Sequence, residues 1–247
     1  MSAVEEPSRV GVWRMFDRIA PRYDLLNRTL SLGLDVSWRR EVVRHLPERD
    51  GLRALDVATG TADLLLLLLD QARIERVLGI DLSEEMLEKG KEKLARHPRA
   101  AAAELVRGDA LELSSLGEKF DVVTIAFGIR NVLDVDHALR EMHAVLSPGG
   151  RAMVLEFSTP PPGLFRAVYD VYRAHLLPRI GSLVSGDAEA YRYLDETIRT
   201  FPSGEVFLAK MTAAGFEHAR AVSMSFGAVT LYIADVPDVA GAAEGEG

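Results

Sequence analysis

The chain contains no cysteine, which excludes disulfides, thiolate nucleophiles and cysteine-ligated zinc together. It also lacks a long hydrophobic run. The longest extends from Leu64 to Leu69 between Asp63 and Asp70, far short of the roughly 20 residues that cross a bilayer. Six consecutive leucines read instead as a buried helix, apolar on all sides. A surplus of positive charge is missing too: 29 basic against 37 acidic side chains give a net charge of −8. A general nucleic-acid binder needs the opposite balance, so no nucleic-acid partner is expected. The stretch Met1 to Arg9 carries Glu5 and Glu6 and no apolar core, so it does not read as a signal peptide, and the expected location is the cytoplasm. What is present is 247 residues, 48% hydrophobic and 27% charged, enough for one large domain with a substantial core.

From about residue 53 the pattern alternates β-rich runs with helical ones. Strands are expected at 53–58, 76–81, 103–108, 120–127 and 151–157. Helices are expected at 63–73, from an N-cap at Ser83 to near Pro98, and at 136–146. The fourth run, Phe120-Asp-Val-Val-Thr-Ile-Ala-Phe127, is nearly all apolar and suits a strand covered on both faces. Repeated strand–helix–strand units imply a parallel sheet with right-handed crossovers. A helix at 205–214 and two strands at 219–226 and 229–236, divided by Gly227, close the pattern as an antiparallel hairpin. The expected fold is therefore α/β, with a Rossmann-like, mostly parallel seven-stranded sheet ending in that hairpin. Around it we expect an N-terminal helical cap over residues 1–50, a main domain over 51–236 with a helical insertion at about 160–203, and a frayed acidic tail at 237–247.

In such a sheet, ligands bind beyond the carboxyl ends of the strands. The turn after the first strand is Thr59-Gly-Thr-Ala-Asp63, with Gly60 its only glycine and Ala62 where a dinucleotide fold prefers a second. That turn is poorly suited to a pyrophosphate and better suited to a nucleoside without phosphate. Asp81, 21 residues beyond Gly60 at the end of the second strand, can accept both hydroxyl protons of a ribose. Asp56, Asp81 and Asp109 occupy successive strand ends. Together with the closing hairpin they point to S-adenosylmethionine and the class I S-adenosylmethionine-dependent methyltransferase fold. Asp109 and Ala110 would flank the adenine, and Asp56 or Thr61 would face the methionine end.

Two segments go beyond the general fold. One is Phe16-Asp-Arg-Ile-Ala-Pro-Arg-Tyr-Asp-Leu-Leu-Asn-Arg-Thr-Leu-Ser31 with Gly33, Asp35 and Trp38-Arg-Arg40. The other runs from Arg140 through Ser147-Pro-Gly-Gly150 to Glu156-Phe-Ser158. With Phe127-Gly-Ile-Arg-Asn131, Leu177-Pro-Arg-Ile-Gly-Ser-Leu183 and Tyr191-Arg-Tyr-Leu194, the chain resembles the menaquinone/ubiquinone-biosynthesis C-methyltransferases over roughly residues 12 to 233. The resemblance implies methyl transfer from S-adenosylmethionine to a ring carbon of a prenylated quinol, with Thr61, Asp81, Asp109 and Ala110 as cofactor contacts. Two departures, Thr59 and Ala62 in the first turn and Ala126 in place of a serine, resemble the menaquinone-only branch. They imply demethylmenaquinol as substrate, with menaquinol and S-adenosylhomocysteine as products. A ubiquinone-pathway benzoquinol enzyme, a dual-specificity enzyme and a catalytically silent cofactor-binding protein are the alternatives.

A sulfonium methyl is already activated, so the demand falls on the acceptor. A ring carbon becomes nucleophilic when the neighbouring phenol, which titrates near pH 10, loses its proton. No metal is required. Arg130 would favour the phenolate by its fixed charge and Asn131 would hydrogen-bond the ring oxygen. Their alternative roles are an ion pair with Asp134 and a helix cap. Tyr23, Asp24 and Asn27 either close over the pocket or pack and cap an N-terminal helix. His175 is a candidate base or a plain core or surface residue; Glu156 either faces the pocket or holds a neighbouring loop. Phe165, Val168, Tyr169, Tyr172, Leu176 and Leu177 recur at helical spacing among Arg166, Arg173 and Arg179. That stripe suits peripheral contact with the inner face of a membrane, or equally packing against the sheet or against a second copy in a homodimer.

Overall fold

The computed structural model describes residues 11–172 and 188–238. Its centre is one seven-stranded sheet. The strands are β1 (Leu52–Val57), β2 (Ile74–Asp81), β3 (Ala103–Arg107), β4 (Phe120–Ala126), β5 (Leu146–Phe157), β6 (Glu217–Met224) and β7 (Val229–Asp235), in the spatial order β3-β2-β1-β4-β5-β7-β6. β1 to β5 pair in parallel, whereas β7 runs antiparallel to both β5 and β6. The expected fold class and hairpin are therefore present. The chain builds outward from β1 to β3, returns to place β4 beside β1, and so creates a switch point between those two strands, where an open sheet offers its crevice.

Successive residues of the central strands enter opposite layers. Val122 and Val123 are both fully buried, one in each of the two core clusters, as are Met153 and Val154. This is why β4 reads as a continuous apolar run. One layer collects Leu139 and Met142 of the helix Val135–Val145 and Phe207 of the helix Glu205–Ala213. The other collects Leu64, Leu65, Leu68 and Leu69 together with Trp38 and Val42. Leu66 and Leu67 are only half-buried, so the leucine helix is not enclosed on every side.

Several boundaries differ from expectation. The leucine helix ends at Leu69 rather than 73, since Asp70 turns out to solvent. β3 and β4 are joined by a single 3₁₀ turn, Leu113–Leu116, not by a full helix. Ser83 caps its helix as expected, its hydroxyl accepting the Met86 N–H at 3.2 Å. The N-terminal helices Trp13–Ile19, Tyr23–Leu30 and Leu34–Arg44 lie over the carboxyl ends of β1, β2 and β4, held by ionic contacts described below. Among the described residues, no helix is long and apolar enough to cross a membrane.

Candidate active site

Two cavities open beside each other above the switch point. The smaller, about 260 Å³, is bordered by Gly60, Asp81, Asp109, Ala110 and Gly128 and roofed by Trp13 and Phe16. The larger, about 360 Å³, is walled mainly by apolar side chains from the N-terminal helices and from Phe157, Tyr169 and Ile198. Phe16, Tyr23, Phe127 and Asn131 border both. A third space of about 20 Å³, room for one water, joins Gly60 to Asp56, Thr61, Asp63 and Arg39.

The turn after β1 has Ala58, Gly60 and Ala62 all at positive φ, between 50 and 67°. That conformation suits Gly60 and costs the two alanines about 1 kcal/mol each. The Gly60 N–H donates to Asp81 Oδ2 at 2.8 Å, and the Ser83 N–H to Asp81 Oδ1 at 2.9 Å. Each oxygen keeps a lone pair for a ligand hydroxyl. Burial pushes the Asp81 carboxyl above its ordinary range. Asp109 Oδ1 accepts the Leu111 N–H at 3.0 Å, which holds the strand end against the same cavity.

Asp56 and Thr61 sit deeper. Asp56 is buried beneath the turn, its oxygens accepting from Thr59 Oγ1 at 2.7 Å and Thr124 Oγ1 at 2.6 Å. Loss of solvent raises its pKa from 3.8 to about 6, against the pull of those hydroxyls and of Arg39. Thr61 Oγ1 donates to Asp24 Oδ1 at 2.6 Å and accepts from Lys93 Nζ at 3.0 Å. Lys93 also pairs with Asp24 at 2.6 Å and Asp63 at 2.7 Å. Asp24 thus ties the N-terminal helices to the β1 turn, and Asp17 adds a second tie by accepting from Ser83 Oγ at 2.5 Å. Asp56 and Thr61 border the small third space and not the 260 Å³ cavity.

Asn131 stands where the two large cavities meet, and Arg130 beside it borders the larger one. Arg130 is 5% exposed, and its partner is Glu156, not Asp134. Its Nη1 donates to Glu156 Oε1 at 2.7 Å and to the Phe127 carbonyl at 2.6 Å. Asp134 instead caps the following helix, accepting the His137 N–H at 2.8 Å. Glu156 is wholly buried, and that burial raises its pKa against the opposing charge of Arg130. Two buried polar atoms here have no partner: Arg130 Nε and Asn131 Oδ1, a donor and an acceptor on adjacent residues. Tyr23 and Asn27 border the apolar cavity, whereas His175 lies outside the described residues.

Sequence reasoning gave no role to the aromatic wall between the cavities. Phe127 adopts φ 58°, a costly conformation for a bulky residue. Its N–H donates to the Leu155 carbonyl at 2.7 Å, and its ring lies 4.6 Å from that of Phe157 and 6.0 Å from that of Trp38. The strain turns the Phe127 carbonyl toward Arg130. A Cβ on the next residue, Gly128, would stand 2.6 Å from Ala58 Cβ, so only glycine fits there. Asp35 and Arg39, both buried, pair at 2.8 Å beside this wall. The motif Phe127 to Asn131 was visible in the chain, but a left-handed phenylalanine has no local signature. Phe165 and Tyr169, expected on a membrane or packing face, contribute to the cavity wall. Leu176, Leu177, Arg173 and Arg179 of that stripe fall outside the described residues.

The chain is similar to known proteins both in sequence and in fold. The family model described as "ubiE/COQ5 methyltransferase family" matches residues 2–235. The chain is 46% identical over 223 residues, 90% of its length and 100% of the relative's, to the demethylmenaquinone methyltransferase of Thermus thermophilus. It is 44% identical to that of Deinococcus radiodurans, covering 91% of this chain and 92% of the relative. It is also 44% identical to the ubiquinone/menaquinone biosynthesis C-methyltransferase of Geotalea uraniireducens, covering 91% and 95%. Among solved structures, a Thermotoga maritima S-adenosylmethionine-dependent methyltransferase superposes with a TM-score of 0.63 at 20% identity, over 90% of this chain and 98% of that one. The [4+2]-cyclase SpnF superposes at 0.68 and 17%, over 96% and 100%. A cyclase on the same scaffold means that these superpositions speak to fold and not to reaction.

Proposed function

The chain belongs to the ubiE/COQ5 methyltransferase family, and from that premise we propose that it methylates a ring carbon of demethylmenaquinol, giving menaquinol and S-adenosylhomocysteine. The observation that carries this reading is the junction of the two cavities at Asn131 and Phe127. One cavity is rimmed by strand-end carboxylates suited to a nucleoside, and the other is apolar and suited to a fused ring.

S-adenosylmethionine supplies a methyl group already activated on a positive sulfur. Asp81 would hold its ribose through the free lone pairs of both oxygens, and Asp109 and Ala110 would border the adenine. Asp56 and Thr61, with Gly60, would face the methionine end through the small third space. The Gly60 N–H is taken by Asp81, and the carboxylates of Asp24 and Asp63 stand beside the turn, which disfavours a phosphate and suits a nucleoside. Arg130 favours the phenolate form of the acceptor by its fixed charge, its unpaired Nε–H available to the ring oxygen. Asn131 Oδ1, also unpaired, accepts the hydroxyl proton of the neutral quinol and so orients the ring. Tyr23, Phe16 and the other N-terminal residues exclude water. The ring carbon would form its bond to the methyl as the sulfur–methyl bond breaks and S-adenosylhomocysteine leaves as a neutral thioether. The proton on the methylated carbon would then pass to the ring oxygen to restore the quinol, so the one proton released to solvent is the phenol's original one. Glu156 is a positioning residue that fixes the Arg130 guanidinium.

The direct test is transfer of a labelled methyl to short-tail demethylmenaquinone, chemically reduced and unreduced, with a demethylated benzoquinol alongside. Label in the naphthoquinol alone, and only under reduction, is the expected result. Equal labelling of the unreduced quinone would remove the phenolate mechanism, and labelling of the benzoquinol alone would move the chain to the ubiquinone branch. An Asp81→Ala variant should bind S-adenosylmethionine about 10- to 100-fold more weakly by calorimetry, the loss of one or two hydrogen bonds to a charged group. Unaltered affinity would take Asp81 out of the site. A prenyl tail keeps such a quinol in a bilayer, so this reading also carries peripheral contact with the inner face of a membrane.

A further inference from the structure

Among the described residues the most exposed large apolar side chains are Leu164 at 85%, Leu32 at 84% and Phe226 at 78%. Isolated exposed leucines need no explanation, but these three come from separate segments, and each is tied to the apolar cavity directly or through a neighbouring residue. Leu32 lies between Ser31 and Gly33, and Ser31, Leu32 and Leu34 all border the apolar cavity. Leu164 adjoins Phe165, which lines that cavity and whose ring lies 4.8 Å from the ring of Phe226. Ser225, beside Phe226, accepts the Trp38 Nε1–H at 2.9 Å, and both residues border the same cavity.

Backbone conformation points the same way. Leu32 has φ 52° and Phe226 φ 56°, the left-handed region that disfavours bulky side chains. Strain of this kind persists where function retains it. The turn carrying Phe226 is braced from below: a Cβ on Gly227 would stand 2.9 Å from Pro161 Cδ. The cavity behind this rim, about 360 Å³, lies near the lower end of small-molecule sites. It accommodates a fused ring and the start of a tail, so several prenyl units must pass out between these side chains. A protein seated on the rim would close that exit, whereas lipid would receive the tail.

Resting on the quinol reading above, we infer that Leu32, Leu164 and Phe226 form a membrane-docking rim that enters the bilayer interface and lets the ring reach the cavity while the tail stays in lipid. So small an apolar footprint gives reversible attachment.

The test uses the full chain with Leu164→Gln and Phe226→Asn combined; asparagine tolerates the left-handed backbone, and neither residue belongs to the binding machinery. With equimolar phosphatidylcholine and phosphatidylglycerol vesicles, the unaltered protein should float. The double variant should partition at least tenfold less, following the apolar area each side chain would bury. Its turnover of a long-tail quinol in those vesicles should fall in parallel, with turnover of a soluble short-tail quinol unchanged. Equal flotation of both proteins, or none by the unaltered one, overturns the inference. So does loss of a dimer in sedimentation without loss of flotation, which would make the rim a self-association surface. Absence of turnover on either quinol by the unaltered protein would instead count against the proposed reaction, with flotation still deciding the docking.

Discussion

An Arg130→Met variant should lose about 3–5 kcal/mol of folding stability at pH 7, the cost of leaving Glu156 buried with no opposing charge. Arg130 and Glu156 are both buried and 2.7 Å apart. The Glu156 carboxyl also accepts the Phe157 N–H at 2.7 Å, so it cannot turn to water without breaking the end of β5. Because methionine removes the charge that holds the Glu156 pKa down, the variant's Glu156 should take up a proton more readily. Its folded pKa then rises further above the unfolded value, and the sign follows: stability is greatest at low pH and falls as pH climbs through that raised value. The deficit should therefore shrink toward pH 5. The double variant Arg130→Met with Glu156→Gln should recover most of the loss, since a neutral amide needs no counter-charge and its oxygen keeps the backbone bond. Urea unfolding at pH 5 and 7 measures all three proteins. A single variant within 1 kcal/mol of the unaltered protein at both pH values would mean that Glu156 carries no charge in the folded state.

Asp56 gives the second large effect, and here removing a charge should stabilise. Its folded pKa is raised from 3.8 to about 6, chiefly by burial. The folded protein thus holds this proton more tightly than the unfolded chain does. The stability this contributes is fully present below about pH 4 and is lost as pH rises through about 6. Two pKa units correspond to about 3 kcal/mol, which sets the upper limit on what Asp56→Asn gains at pH 7. The asparagine N–H groups would be received by the Thr59 and Thr124 hydroxyls, which accept as well as donate. The difference in stability between variant and unaltered protein should be small at pH 4 and grow to pH 7. A flat difference across that range would contradict the raised pKa. The same variant should bind S-adenosylmethionine more weakly if Asp56 faces the methionine ammonium. In that case a destabilising charge is retained because the ligand uses it.

The chain alone determined the class of fold. Period-two and period-3.6 patterns are local, and β4 had to be doubly covered because no other placement hides seven largely apolar residues from water. Strand-end carboxylates and a glycine-poor turn were equally legible, because strand ends and turns follow from short-range sterics. The motif Phe127 to Asn131 was visible, but its partner was not. Arg130 pairs with Glu156, 26 residues away, because parallel pairing of β4 with β5 brings their carboxyl ends side by side, while the nearer Asp134 is spent capping a helix. The left-handed turn at Phe127, the tie from Asp24 to Lys93 and the arrival of Leu32 and Phe165 at one cavity, with Phe226 against Phe165, were decided only by tertiary structure. Each depends on where a distant segment arrives, and a one-dimensional pattern carries charge and hydrophobicity without the packing that selects between partners.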